Sequence, residues 1–121
     1  MKHLYVWLVV LAVVLSSTFN YRLLAADQLR INEFMAVNAT GLDDDSGDEE
    51  DWIEILNFGT TTVNLDGWFL TDKTNNLGAP TAKWRFPATN LPPNGYLVVF
   101  ASERNIRTPG RELHTNFKLA A

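Results

Sequence analysis

His114 is the one histidine that follows residue 26, and the chain contains no cysteine. A Ser–His–Asp hydrolase would need a serine beside that ring, and Ser46 and Ser102 are the candidates. Neither sits in the Gly-x-Ser-x-Gly setting that exposes a nucleophile on a strand-to-helix turn, so His114 reads as a strand-end residue. Metal centres built from His and Cys are excluded by count. Paired-carboxylate hydrolysis needs one acid whose pKa an apolar pocket has raised. Glu54, between Ile53 and Ile55, is the sole candidate by local setting, and an ion pair with Lys83 or Arg85 on a neighbouring strand is its favoured role. Asp43–Asp51 carries seven carboxylates with Ser46 and Gly47. Calcium needs several oxygens converging on one point. The calcium-hand pattern wants its glycine sixth, after acids at the first, third and fifth positions; counted from Asp43, Gly47 is fifth. Charges this dense repel and stay hydrated, so a solvated, mobile loop is expected. If calcium did bind, Asp43, Asp45 and Asp48 would be the first ligands. Asn38-Ala39-Thr40 matches a glycosylation acceptor, which matters in a eukaryotic host. Gly-rich phosphate loops are absent. Trp52, Trp68 and Trp84 would make a carbohydrate platform if exposed, but their alternating positions favour burial. No catalytic, cofactor-binding or metal-ligating residue is therefore assigned.

The chain must position so little chemistry within 121 residues, room for one domain. Met1-Lys2-His3 is a basic start, and Leu4–Leu15 is an apolar run of 12 residues, right for a signal peptide and short of the roughly 20 that span a bilayer. Ser16-Ser17-Thr18 ends the run, and Leu23-Leu24-Ala25-Ala26 offers small residues for cleavage after Ala26. Residues 1–26 are thus expected to be a signal peptide and residues 27–121 an exported domain, without a membrane span once cleaved. Removing Lys2 and Arg22 leaves eight cations against 14 carboxylates, a net charge of −6. Phosphate recognition wants clustered cations, so nucleic acid is not an expected partner.

The elements are strands. Asp51-Trp52-Ile53-Glu54-Ile55-Leu56-Asn57 puts Ile53 and Ile55 on one face and Trp52, Glu54 and Leu56 on the other. After the turn at Asn57-Phe58-Gly59, Val63–Asp72 returns as a second strand. Leu29–Ala36 alternates until Phe34 and Met35 fall side by side, and a bulge near Asn32-Glu33 would restore the faces. Lys83-Trp84-Arg85-Phe86 places its aromatics inward and its cations outward. Leu91-Pro92-Pro93-Asn94-Gly95 is a turn. Tyr96–Phe100, apolar throughout, reads as a central strand covered on both sides. Ser102–Glu112, with Arg104, Arg107 and Arg111, reads as a mobile loop, and His114–Leu119 as a last strand. Short strands at this spacing describe a two-sheet β-sandwich.

Four stretches together resemble the lamin-tail domain, the immunoglobulin-like module of nuclear lamins and many exported bacterial proteins. They are Ile31-Asn32-Glu33-Phe34-Met35-Ala36, Asp51–Asn57, Leu65-Asp66-Gly67-Trp68-Phe69-Leu70-Thr71-Asp72 and His114-Thr115-Asn116-Phe117-Lys118-Leu119. Trp84-Arg85-Phe86-Pro87 and the Pro-Pro-Asn-Gly-Tyr turn match the intervening pattern. The resemblance covers nearly all of Leu29–Ala121. It implies an all-β, immunoglobulin-like antiparallel sandwich whose role is binding or tethering rather than catalysis. The family continues past the Phe-Lys-Leu strand into a closing hairpin, so the sandwich is expected to lack its last strands, leaving part of the core under Tyr96–Phe100 exposed.

The expectation is a secreted, periplasmic or cell-surface binding module whose partner is a protein or a cell-surface polymer, with no enzyme activity and no cofactor. The competing expectation is an accessory domain of a secreted or surface hydrolase or nuclease whose catalytic part lies beyond Ala121.

Overall fold

Trp52–Asn57 (β2) is the spine. Its β-branched and aromatic residues favour the extended backbone, and both its edges are paired. Leu29–Met35 (β1) runs antiparallel to it on one side and Tyr96–Phe100 (β7) on the other. The computed structural model describes residues 28–79 and 81–120, so the signal-peptide expectation for residues 1–26 lies outside the described residues. Between Ile31 and Glu33 the β1–β2 register shifts. This is the expected bulge: Ile31 sits opposite Ile55 and Phe34 opposite Ile53, which puts both on the same face.

Val63–Asp72 does not return as one strand. Gly67, at φ 89°, turns the backbone through a conformation that side chains rarely adopt. Val63–Asn64 (β3) then pairs with Asn90–Leu91 (β6), and Phe69–Leu70 (β4) with Trp84–Arg85 (β5). The last strand is also shorter than expected. Only Leu113–His114 (β8) is regular, and it lies parallel to β7, opposite Val99 and Phe100. Lys118 then bridges back to Ser102. The result is a four-stranded sheet, β1-β2-β7-β8, and two two-stranded ribbons.

The core lies between sheet and ribbons. Ile53, Ile55, Val99 and Leu113 from the sheet meet Leu65, Leu70, Trp84, Phe86, Leu91 and Phe117. Trp84 and Phe86 make an edge-to-face pair, with centroids 5.0 Å apart, while Lys83 and Arg85 point outward to Asp72 and Asp66 at 2.7 and 2.8 Å. At one end Asn57, fully buried, ties the layers together. Its Nδ2 donates to Thr61 O and Leu91 O at 2.8 and 2.9 Å, and its Oδ1 accepts from Gly59 N. Its backbone also holds the 92–95 turn, through Asn94 N to Asn57 O and Asn57 N to Gly95 O. Gly95 is required there, because a Cβ would stand 2.8 Å from Pro92 O.

Candidate functional site

Two places on the fold gather exposed or unusual chemistry, one on each face of the four-stranded sheet. On the outer face the alternation that sends Val99 and Leu113 inward sends Phe100 and His114 outward. Both are nonetheless buried, with ring centroids 5.3 Å apart. The cover comes from the acidic loop and the 102–112 segment, neither of which hangs free. Asp44 is buried. Its Oδ1 accepts from Ser46 N and Asp48 N at 2.8 and 3.0 Å, and its Oδ2 lies 2.6 Å from Arg104 Nη1. The other guanidinium nitrogen reaches Asp48 and Glu50. Burial alone would raise the Asp44 carboxyl, but the two backbone N–H groups and the Arg104 charge outweigh it and hold its pKa below the ordinary value. Arg104 thus gathers carboxylates that would otherwise repel one another. The 102–112 segment is tied down in turn by Asn105 N to Thr115 O and His114 N to Ile106 O, both 3.0 Å.

The outer face also brings together a serine and the histidine. Ser102 Oγ lies 2.8 Å from His114 Nδ1, both side chains buried. Among the described residues no carboxylate hydrogen-bonds to the ring to complete a triad. His114 Nε2 is sealed from solvent and has no hydrogen-bond partner among the described residues. Beside the ring is a cleft of about 330 Å³ whose lining includes Asp45, Glu112 and His114. These three each offer a ligand atom, all within 4.8 Å of one another. Counting His and Cys overlooked this mixed set, because nothing local marks Asp45 or Glu112 as the neighbour of residue 114.

The core-side face is incomplete at β1. Ile31 and Phe34 share the face of Ile55 and Ile53 yet are 56% and 64% exposed, so the core-side cover of this edge strand is partial. A groove of about 180 Å³ opens there, floored by Ile55 and Leu65 and walled by Leu29, Ile31, Trp68 and Phe69. Exposed Trp68, at 37%, corrects the expectation that all three tryptophans are core; the break at Gly67 takes it off the inward alternation. Trp84 is core, and Trp52, opposite Phe100 on the outer face, is half-buried.

Glu54 pairs with neither Lys83 nor Arg85. It lies on the outer face, across the sheet from the ribbon that carries them, and accepts from Asn32 Nδ2 at 2.8 Å. Asn38 is not the free acceptor its motif suggests. It is buried, its Nδ2 donating to Leu42 O and Glu50 O at 2.7 and 3.0 Å.

A comparison with protein families matches the Lamin Tail Domain over residues 24–120. No curated protein and no solved structure gives a significant match. The bulged edge strand, the Trp52–Asn57 spine, the broken Leu65–Asp72 return and the Trp84–Phe86 ribbon all fall within that span. The chain belongs to the lamin-tail domain family and has the all-β, immunoglobulin-like sandwich of that module.

Proposed function

We propose that this chain is an exported, non-catalytic module that binds or tethers a protein or cell-surface polymer, docking it in the groove under β1. One observation carries the reading: Ile31 and Phe34 lie on the core-facing side of the sheet but are left more than half uncovered. Ile31 walls the groove with exposed Trp68 and Phe69, and an apolar surface of this kind marks an interaction site in a folded domain. The rim carries Arg30, whose guanidinium stands 5.6 Å from the Phe58 ring centroid. Rim cations over aromatics suit recognition of a partner with mixed polar and apolar character.

The chemistry beside Ser102 supports a non-catalytic role. Its hydroxyl is buried and lies outside the lining of the cleft beside His114, so a substrate there does not reach it. Export rests on the basic start and the apolar run of Leu4–Leu15. The acidic balance turns the domain away from nucleic acid.

Envelopes of the source cells, incubated with purified protein and sedimented, test this reading. Wild type is expected in the pellet and the Ile31→Glu/Phe69→Ser variant in the supernatant, with equal thermal stability. A variant that pellets like wild type, or a wild type that never pellets, overturns the docking assignment. N-terminal analysis of the exported protein tests the rest, with Asp27 expected as the first residue.

A further inference from the structure

We infer that Asp45, Glu112 and His114 form a binding site for a divalent transition-metal cation of the zinc type. The ligand atoms of the three side chains lie within 4.8 Å of one another, a spacing that places a common centre about 2–3 Å from each, near the usual Zn–N and Zn–O lengths.

The independent sign is His114. Its ring is fully buried, and among the described residues Nε2 has no hydrogen-bond partner although its surroundings seal it from solvent. An imidazole nitrogen left unpaired in the interior costs free energy, and such groups call for an explanation. Nδ1 is taken by Ser102 Oγ at 2.8 Å, and Ser102 does not line the cleft, whereas His114 does. With Nδ1 engaged by Ser102, Nε2 is the nitrogen assigned to a cation shared with Asp45 and Glu112. With the proton on Nδ1, the ring donates to Ser102 and keeps the Nε2 lone pair free to ligate. An acceptor holding one imidazole N–H while the other nitrogen ligates is the arrangement metal-binding histidines show. Stacking on Phe100 fixes the plane of the ring.

The charges suit a dication. Two carboxylates and a neutral imidazole carry −2, and the nearest cation, Arg111 Nη2, stands 3.5 Å from Asp45 Oδ2, a long pair that a metal can displace. Glu112 Oε2 also accepts from Asp45 N at 2.6 Å, which locks the two carboxylate-bearing segments together, and Ser46 Oγ is 3.5 Å from Asp45 Oδ1. One imidazole nitrogen with two carboxylates favours zinc and its neighbours over calcium, which seeks six or more oxygens. Three protein ligands leave a coordination position for water or for a group on a partner. The site differs from the calcium reading of the acidic run, because two of its three ligands come from the other end of the chain.

Calorimetric titration of the full chain, without a histidine tag, with zinc chloride tests the site. One zinc per chain is expected, with a raised thermal midpoint and a shifted His114 Nε2 resonance. Asp45→Asn and Glu112→Gln should each weaken binding about tenfold or more. Glu112→Gln keeps an oxygen to accept from Asp45 N, so it separates loss of ligand charge from loss of the loop contact. His114→Ala is the poorer test, since a buried ring is lost with the ligand. Absence of heat and of any midpoint shift overturns the site. So does binding that survives both carboxylate variants, which would place the zinc elsewhere, or saturation by calcium in preference to zinc.

Discussion

Replacing Asn57 tests how the two layers are joined. Its amide makes three hydrogen bonds, to Thr61 O, Leu91 O and Gly59 N, from a fully buried position. At a net ~0.5–1.5 kcal/mol per hydrogen bond, and more where a buried partner is left unpaired, Asn57→Ala should cost about 3–5 kcal/mol. That is a large share of the roughly 5–15 kcal/mol that holds a domain together. Urea unfolding followed by tryptophan fluorescence reads the loss as a fall in midpoint with an unchanged slope. Thr61→Ala is the control, because Asn57 bonds the backbone at position 61 and not the hydroxyl. Asn57→Asp is sharper still: it keeps the shape and the acceptor for Gly59 N but removes both donors and buries a charge. Burial raises the folded-state pKa of the new carboxyl above its unfolded value of about 3.9. The neutral form is thus favoured in the fold, and the extra destabilisation appears as pH rises past the unfolded value and is relieved on acidification. A loss under about 1 kcal/mol for Asn57→Ala, or an Asn57→Asp variant whose deficit is the same at pH about 4 and about 7, would refute the claim that this side chain joins the layers.

Trp84→Ala should cost about 3–5 kcal/mol, as truncation of a fully buried Trp does, while Trp68→Ala should stay within about 0.5 kcal/mol; equal losses would mean the return strand is not broken at Gly67. The Asp72 pKa is lowered: burial opposes this, but the hydrogen bond and charge of Lys83 prevail. Its contribution to stability is therefore present above the unfolded carboxylate value and is lost as pH falls through the depressed folded value, so Asp72→Asn should flatten that part of the acid limb in a series of melts. Arg104→Met should speed amide exchange at Ser46 and Asp48 and open residues 43–50 to protease, while exchange at Ile55 is unchanged; protection equal to wild type would show that the loop holds itself.

The strands that form the sheet were legible because their signals are local. Alternation in Trp52–Asn57 and Lys83–Phe86, and the slip at Phe34-Met35, follow from a period of two and a bulge. The return strand misled because Leu65–Asp72 looks continuous until Gly67 takes a positive φ. Asn57 was legible as a turn residue but not as the tie between layers, since its partners at Thr61 and Leu91 depend on where β6 lies. The surface left uncovered was expected under Tyr96–Phe100; there Tyr96 is 58% exposed while Val99 and Phe100 are buried, and Ile31 and Phe34 on β1, at the other end of the sheet order from β8, are also more than half exposed. Edge position in a sheet is a property of topology, and alternation within one strand does not reveal it.

The acidic loop shows the same limit in its electrostatics. Seven carboxylates in Asp43–Asp51 repel when judged alone, and that gives a hydrated, mobile loop. In the fold Arg104 approaches from more than fifty residues away and takes three of them, with Lys118 within 3.5 Å of Glu50 as well. Once Asp44 is buried beside that cation, the loop is held against the outer face of β7 and β8, and its next residue, Asp45, stands at the cleft of His114. The carboxylate density that made the segment look unstructured is what lets one arginine organise it. A loop with fewer acids would leave Arg104 unpaired over a hydrophobic sheet, and Phe100 and His114 would lose their cover. The acidic run is therefore a structural lid first, and Asp45 can serve as a ligand only because its neighbour Asp44 is anchored.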